Sequence, residues 1–258
     1  MSVIAEDIRV SLSGKNILHG VDFSATAGEL TAIVGPNGSG KTTLLRALTA
    51  DVGYRGRIRL NGVDIARSDV AALAQMRGVL PQASSLSFPF TVAEIVRIGI
   101  EAQGLRDDNL IHQALQLVDL PGFSGRLYQE LSGGEQQRVQ LARVLCQVWQ
   151  PVGPQGPRWL FLDEPVSSLD IGHQLTIMRL ARDYARRGGG VIAVMHDLNL
   201  TAMFADRLCM MKQGAILAEG RPQSVLTDET LTTAYGCALK VNIVPQSGPW
   251  LLPQGAGA

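Results

Sequence analysis

The chain has 258 residues, with 23 Lys and Arg against 23 Asp and Glu, 46% hydrophobic residues and 28 glycines. This composition is typical of a folded globular protein, and the chain is long enough for one large domain. The formal net charge is zero and no long run of like charges occurs, which excludes a dedicated nucleic-acid binder, because its phosphate contacts need an excess of Lys and Arg. We therefore expect no nucleic acid among its partners.

The N-terminus carries Glu6, Asp7 and Arg9 where a signal peptide would need a continuous apolar stretch. Nothing downstream approaches the run of about 18 apolar residues that a membrane-spanning helix needs. We therefore expect a chain that is neither exported nor membrane-spanning. The mean hydropathy of +0.12 is high for a chain that is 18% charged. It indicates either an apolar surface that a partner covers or a core rich in Ala and Leu.

The three cysteines, Cys146, Cys209 and Cys237, are odd in number and widely spaced, and each has apolar neighbours. This pattern predicts buried thiols in a reducing compartment and offers no metal site.

Short apolar runs predict an α/β core. Residues 29–34 are rich in strand-forming residues and end at Gly35, and residues 41–48 then show helical spacing. Residues 159–162 and 190–195 are unbroken apolar runs of strand length, which is typical of parallel strands buried on both faces.

A helical segment is predicted between these strands, from about residue 85 to residue 149. Its apolar residues from Leu110 to Val118 follow a helical period. Two capping boxes mark helix starts in it, since a hydroxyl and a carboxylate three residues apart satisfy free N–H groups there: Thr91 with Glu94, and Ser132 with Glu135.

Residues 150–158 contain three Pro and two Gly, which predicts a loop, and the Pro- and Gly-rich tail is predicted to fray. We see no internal repeat. The whole chain, 1–258, is thus expected to be a single domain: a core from 1–84 and 150–244, the helical subdomain 85–149 and the tail 245–258.

A phosphate-binding loop is predicted between the first apolar strand and the helix that follows it. Glycines there let backbone N–H groups point at phosphates, the helix dipole adds positive potential, the lysine reaches the β- and γ-phosphates and the threonine hydroxyl ligates Mg²⁺. The G-x-x-x-x-G-K-[ST] pattern and the residue after it are Gly35, Pro36, Asn37, Gly38, Ser39, Gly40, Lys41, Thr42 and Thr43.

Asp163 and Glu164 follow the apolar run 159–162 directly. Asp163 is thereby placed at the end of a buried strand, where the Mg²⁺ of a bound nucleotide needs a counter-charge. Glu164 is placed to polarise a water that attacks the γ-phosphate. The two carboxylates and the phosphate loop together indicate nucleotide hydrolysis.

A second anion-binding motif begins at Leu131 and reads Leu-Ser-Gly-Gly-Glu-Gln-Gln-Arg. The serine and glycines at a predicted helix start offer free N–H groups and a dipole without a lysine. This segment resembles the signature motif of ATP-binding-cassette (ABC) ATPases. The resemblance implies a P-loop NTPase, RecA-like α/β core with an N-terminal antiparallel β region and an inserted helical subdomain. It also implies a head-to-tail homodimer that sandwiches two ATP molecules.

Other motifs of that family occur in the family's order. Gln82 matches the Q-loop glutamine, residues 167–170 match the D-loop, and His196 matches the switch histidine. The resemblance implies that Thr42, Gln82 and Asp163 arrange Mg²⁺, that Glu164 is the general base and that His196 contacts the γ-phosphate. It further implies ATP contacts across the dimer from Ser132, Gly133, Gly134 and Glu135, with Asp170 communicating between the copies.

Two features depart from the family pattern. Leu12 occupies the position that the family usually fills with an adenine-stacking aromatic residue. We therefore expect weakened ATP affinity and loose base selectivity. The spacing from Leu131 to Asp163 is also longer than is usual, and the Pro- and Gly-rich loop 150–158 accounts for the extra length.

Three segments resemble the ATPase subunits of bacterial haem importers: residues 83–92, the loop before Trp159, and residues 194–200. The resemblance implies two membrane permease subunits and, through the complex, a periplasmic substrate-binding protein. It also implies a peripheral location on the cytoplasmic face of the inner membrane. Phe88 and Phe90 are candidate anchors for the permease, unless they pack under the loop. A siderophore or cobalamin importer, or a soluble ABC ATPase of the iron–sulfur cluster assembly type, stays open as an alternative.

Overall fold

The computed structural model describes residues 1–82, 88–104, 106–244, 247–249, 251 and 253–255. Its strands are β1 (Ser2–Leu12), β2 (Lys15–Thr26), β3 (Leu30–Val34), β4 (Arg55–Leu60), β5 (Val63–Asp64), β6 (Arg77–Leu80), β7 (Val152–Gly153), β8 (Gly156–Pro157), β9 (Trp159–Asp163), β10 (Gly190–Val194), β11 (Arg207–Lys212) and β12 (Ala215–Gly220). Its α-helices are α1 (Lys41–Leu48), α2 (Val70–Met76), α3 (Val92–Glu101), α4 (Asn109–Leu117), α5 (Gly133–Gln147), α6 (Ile171–Arg186), α7 (Leu198–Phe204), α8 (Pro222–Val225) and α9 (Asp228–Tyr235).

The strands of the described residues form two main sheets. An antiparallel sheet has the order β2-β1-β4-β5, and a mixed sheet has the order β12-β11-β3-β10-β9-β6. In the mixed sheet, β11, β3, β10, β9 and β6 are parallel and β12 is an antiparallel edge strand. The predicted α/β core with an antiparallel β region is confirmed.

The mixed sheet is buried on both faces because β3, β9 and β10 consist of buried residues throughout. Ile33, Phe161 and Ile192 pack on one face against α1 and the antiparallel sheet. Leu160 and Ala193 pack on the other face with the helices of the inserted segment and α6. The carboxyl ends of the parallel strands are therefore fixed rigidly at one edge, where their loops begin.

The segment between β6 and β9 is helical, as the sequence predicts, and both predicted capping boxes are present. Thr91 caps α3 with Glu94, and Ser132 caps α5 with Glu135. Residues 83–87, the first half of the segment 83–92 singled out in the sequence, lie outside the described residues. Phe90 is partly buried against the core, whereas Phe88 is 70% exposed.

Residues 150–158 form more structure than the predicted loop, since they contain the hairpin of β7 and β8. Asn61 Nδ2 donates to the Pro157 carbonyl at 2.7 Å, and Arg158 Nε donates to the Gln75 carbonyl at 3.1 Å. These contacts tie the hairpin to the antiparallel sheet and to the end of α2. The Pro and Gly content did not reveal them, because both depend on residues distant in sequence.

The prediction for the cysteines is partly wrong. Cys146 and Cys209 are buried, but Cys237 is exposed, because it follows the end of α9 at Gly236 rather than lying in an element of the core. In the part of the chain that the structure describes, no helix has the length and apolar character needed to span a membrane.

Gly99 provides a test of how tightly the helical segment is packed. A Cβ at Gly99 would collide with the backbone carbonyl of Arg143 on α5. We expect Gly99→Ala to lower the free energy of unfolding by about 1–3 kcal/mol, the usual cost of overpacking. Gly172→Ala in α6 is the matched control, since a Cβ there meets only Asp170 Oδ1 at 3.5 Å. Urea unfolding of both variants is the measurement; equal stability of the two would contradict the packing described.

Candidate nucleotide-binding site

The loops that follow four neighbouring parallel strands meet at one edge of the mixed sheet. The phosphate loop follows β3, Asp163 ends β9 with Glu164 next, His196 follows β10, and Gln82 follows β6. Ligands of open α/β sheets bind at this carboxyl edge, because the strand ends leave a crevice there. The sheet order brings together residues that are more than one hundred positions apart in sequence.

Two positions of the phosphate loop require glycine, because neighbouring atoms leave no room for a Cβ and because the φ angle is positive. Gly35 has a φ of 147°, and a Cβ there would collide with the Met211 carbonyl oxygen of β11. Gly40 has a φ of 99°, and a Cβ there would lie 2.9 Å from Leu18 Cδ2 of β2. The loop is thus packed closely between β11 and β2.

Lys41 begins α1 and reaches back across the phosphate loop. Its Nζ donates to the carbonyl oxygens of Gly35 at 2.9 Å and Pro36 at 3.1 Å. The side chain is nearly buried, and burial lowers the pKa of Lys41, against the attraction of Glu164 and Asp163, which raises it. A cation whose hydrogen bonds go to two neutral carbonyl oxygens is suited to bind an anion.

Asp163 and Thr42 form the candidate Mg²⁺ site. Thr42 Oγ1 donates to Asp163 Oδ1 at 3.1 Å. Burial raises the pKa of Asp163, while the hydrogen bond from Thr42 and the charge of Lys41 oppose this shift. A hydroxyl and a carboxylate at this distance are the hard oxygen donors that Mg²⁺ prefers beside a phosphate, so the residues present fit the ion.

Glu164 and His196 form a close pair at the mouth of the cleft. His196 Nε2 lies 2.5 Å from Glu164 Oε1. The backbone of Glu164 lies in the left-handed region, at a φ of 52°. Its N–H donates to the Val194 carbonyl at 3.1 Å, and its carbonyl accepts from Gln137 Nε2 at 2.8 Å. That carbonyl also accepts from the N–H of Ser167 at 3.3 Å and from Ser167 Oγ at 3.2 Å. This unusual backbone aims the carboxylate away from the core and toward the histidine.

A cleft of about 580 Å³ is lined by half of the predicted residues. Ser39 belongs to the phosphate loop without lining the cleft, and its Oγ is buried without a hydrogen-bond partner among the described residues. Ile17 of β2 also lines the cleft, and sequence reasoning missed it because it belongs to no motif. The other lining residues are Asn37, Gly38, Gly40, Lys41, Thr42, Thr43, Gln82, Glu164 and His196.

Leu12 is absent from the lining of this cleft. It ends β1, pairs with Lys15 and is partly buried against the core beneath the antiparallel sheet. The position predicted to lack an aromatic platform therefore holds a partly exposed aliphatic side chain, and Ile17 is an apolar residue that lines the cleft beside the phosphate loop.

Within one copy, the second anion-binding motif lies apart from the cleft. The capping box accounts for several polar atoms of the α5 start: Ser132 N donates to Glu135 Oε2 at 2.8 Å, and Glu135 N donates to Ser132 Oγ at 3.4 Å. Gly133 lines a small cavity of about 170 Å³ together with Gln82. Ser132, Gly133, Gly134, Glu135 and Asp170 do not line the phosphate cleft.

Comparisons with known proteins agree with this geometry. The ABC transporter family model matches residues 18–167. The hemin import ATP-binding protein HmuV of Jannaschia sp. (strain CCS1) is 61% identical over 251 residues, covering 96% of this chain and 93% of the relative. The protein of the same name from Rhizobium meliloti (strain 1021) is 58% identical over 257 residues, covering 98% of both chains.

Solved structures share the fold. The ATP-binding subunit of an ABC transporter superposes with a TM-score of 0.77 at 20% identity, covering 92% of this chain and 96% of that one. A metal-chelate type ABC transporter in an inward-facing conformation gives a TM-score of 0.73 at 24% identity, covering 91% and 89%. The strand-edge cleft, the family match and the relatives all agree, and the chain belongs to the ABC transporter family as an ATP-binding subunit.

Proposed function

We propose that this chain is the ATP-hydrolysing subunit of an ABC importer for hemin. The observation that carries the ATPase assignment is that Lys41, Thr42 and the Glu164–His196 pair line one cleft. Asp163 adjoins this cleft through its hydrogen bond with Thr42. The cargo rests on the relatives named hemin import ATP-binding protein. ATP is the substrate, and the chain works as a single nucleotide-binding domain with the helical part, residues 85–149, inserted into the core.

Binding of the nucleotide exchanges the partners of Lys41. Its Nζ leaves the carbonyls of Gly35 and Pro36 and donates to the β- and γ-phosphates, and amides of the loop add further hydrogen bonds. Thr42, Asp163 and Gln82 would hold Mg²⁺, which neutralises phosphate charge when bound. The buried acceptors of Lys41 are replaced by anionic oxygens, so binding gains strong charge-assisted hydrogen bonds.

Hydrolysis needs a base for the attacking water and a contact for the γ-phosphate. Glu164 accepts a proton of the water, whose oxygen bonds to the γ-phosphorus while the bond to the leaving ADP breaks. His196 Nε2 lies 2.5 Å from Glu164 Oε1 and holds the carboxylate in place until ATP binds, and it then contacts the γ-phosphate. The strained Glu164 backbone holds the base in position through Gln137 of α5. The state of the base is thereby coupled to the helix that carries the second motif.

The second motif completes the site from another copy. Free N–H groups at the start of α5 have no phosphate within their own chain, because Ser132 and Gly134 lie outside its cleft. In a head-to-tail homodimer, Ser132, Gly133, Gly134 and Glu135 of each copy close on the nucleotide of the other. Asp170, beside the same surface, communicates between the two cavities.

Transport requires membrane partners. We propose two permease subunits, a periplasmic binding protein that delivers hemin through the complex, and a peripheral position at the cytoplasmic face of the inner membrane. Phe88 is 70% exposed and meets Phe90 edge to face at 6.3 Å between ring centroids. This exposed ring is the best candidate anchor for a permease, whereas Phe90 supports it from beneath.

Replacement of the proposed base separates binding from hydrolysis. We expect Glu164→Gln to reduce ATP turnover by about 10²–10⁴-fold while Mg-ATP still binds, since an amide cannot accept the proton. Lys41→Ala should instead lose Mg-ATP binding, measured by equilibrium dialysis. Glu229→Gln on α9, an exposed carboxylate away from the cleft, serves as the control. Turnover of Glu164→Gln near the wild-type rate would disprove the assignment of the base.

An aromatic ring at position 12 tests the adenine contact. We expect Leu12→Tyr to tighten ATP binding several-fold or more, since stacking on an aromatic side chain contributes about 1–3 kcal/mol per base. Leu12→Met keeps an aliphatic side chain and should bind ATP like the wild type. Equilibrium binding of ATP and GTP to both variants is the measurement. If Leu12→Tyr bound ATP and GTP with the same affinities as the wild type, the hypothesis that Leu12 deprives adenine of a stacking partner would be wrong.

The cargo is tested with the assembled transporter. The tagged chain is purified from native membranes with its partners, reconstituted in vesicles, and assayed for ATP-driven uptake of hemin, of a ferric siderophore and of cobalamin. We expect a polytopic permease and uptake of hemin that Glu164→Gln abolishes. Uptake of only another chelate would disprove the cargo, and co-purification with soluble partners alone would favour the cluster-assembly alternative.

A further inference from the structure

A histidine outside the phosphate cleft has a carboxylate at each ring nitrogen. His173 lies in the first turn of α6, where its Nδ1 is 2.9 Å from Asp170 Oδ2 and its Nε2 is 3.1 Å from Asp119 Oδ2. A neutral imidazole carries a single N–H and can donate to only one of these oxygens. Both contacts are hydrogen bonds when the ring is an imidazolium and both carboxylates are ionised.

The two carboxylates belong to different parts of the chain. Asp170 is the N-cap of α6, where its Oδ1 accepts from the His173 N–H at 3.0 Å. That backbone hydrogen bond and the one from the His173 ring hold the pKa of Asp170 below its usual value. Asp119 lies in the turn between α4 and α5. His173 thus connects residues 167–170 to the helical segment.

Asp119 is also contacted by α5, the helix that begins with the second anion-binding motif. Arg138 of α5 donates to the Asp119 carbonyl at 2.9 Å, and its Nη1 lies 3.8 Å from Asp119 Oδ2. The Asp119 backbone has a φ of 58°, a left-handed conformation that Asp and Asn tolerate better than most residues. The contacts therefore run without a break from α5 through Asp119 and His173 to Asp170.

The same two parts also touch directly at the start of α5. A Cβ at Gly134 would lie 3.0 Å from the Ser168 carbonyl oxygen and 3.2 Å from Leu169 Cδ2. In the homodimer proposed above, Gly134 and Asp170 both face the other copy. Their relative position within one chain then decides whether the two can meet that copy's nucleotide at the same time.

We propose that His173 is a positioning residue for ATP hydrolysis, acting as an imidazolium bridge from Asp170 to Asp119 that fixes residues 167–170 against α5. This inference rests on the proposed function. The charged groups that face the bridge are the carboxylates of Asp119 and Asp170, with Arg138 behind Asp119. A ring that carries a single N–H can donate to only one of these carboxylates, so the bridge needs a hydrogen on both ring nitrogens.

Kinetics of the assembled transporter test the bridge. We expect His173→Gln to lower kcat by about two- to fivefold, the range for a solvent-accessible ion pair. KM for ATP should stay unchanged, because the bridge lies outside the phosphate cleft.

A matched carboxylate variant and a control histidine complete the set. Asp119→Asn keeps the left-handed backbone but removes the charge, so it should lose as much rate as His173→Gln, and the double variant should lose no more. His112→Gln is the control, because within the part of the chain that the structure describes the His112 ring contacts a hydroxyl, Ser124 Oγ, at 3.5 Å rather than a carboxylate. Additive losses in the double variant, or an unchanged kcat in His173→Gln, would overturn the proposal.

Hydrogen exchange tests the bridge without ATP turnover. Amides of residues 167–170 should exchange faster in His173→Gln than in the wild-type chain at pH 6.5, with unchanged protection of α6. Equal exchange of residues 167–170 in both proteins would refute the bridge. An assembled transporter that hydrolyses no ATP would instead refute the proposed function and leave the exchange result to decide on His173.

Discussion

The site depends on one buried cation. Lys41 lies at the edge of a sheet buried on both faces, near two carboxylates, and its hydrogen bonds go to neutral backbone carbonyls. Burial of a charge is costly unless it is paired and hydrogen-bonded. Phosphate oxygens would supply an anionic partner, so nucleotide binding would offset part of this cost. The close approach of Gly35 to β11 and of Gly40 to β2 holds the loop around this lysine.

The same reasoning extends beyond a single copy. The start of α5 offers N–H groups and a helix dipole, yet it lies outside the phosphate cleft of its own chain. Gln137 joins this helix to the Glu164 backbone, and Gln82 lines both the cleft and the small cavity next to Gly133. Closure of a second copy on the nucleotide would therefore act directly on the base and on the proposed Mg²⁺ site.

The features that were predicted correctly from the sequence are those that depend on neighbouring residues. The strand, loop and helix around Lys41 follow from a short apolar run, glycines and helical spacing, and capping boxes mark the starts of α3 and α5. Contacts between residues distant in sequence could not be predicted from such patterns. Ile17 lines the cleft because of how its strand pairs, and Asn61 contacts the hairpin at 150–158. Cys237 was predicted to be buried because its neighbours in sequence are apolar. That prediction was wrong because those neighbours carry no information about where α9 ends.

The central claim is that each hydrolytic site combines the phosphate loop of one copy with the second motif of another. Transporters are assembled from equal amounts of Lys41→Ala and Ser132→Arg chains carrying different tags, and ATP turnover is measured after confirming that both tags co-purify. A shared site predicts recovered turnover, roughly a quarter of wild type, because half of the dimers then contain one intact site of two. Turnover no higher than that of either variant alone would contradict the claim.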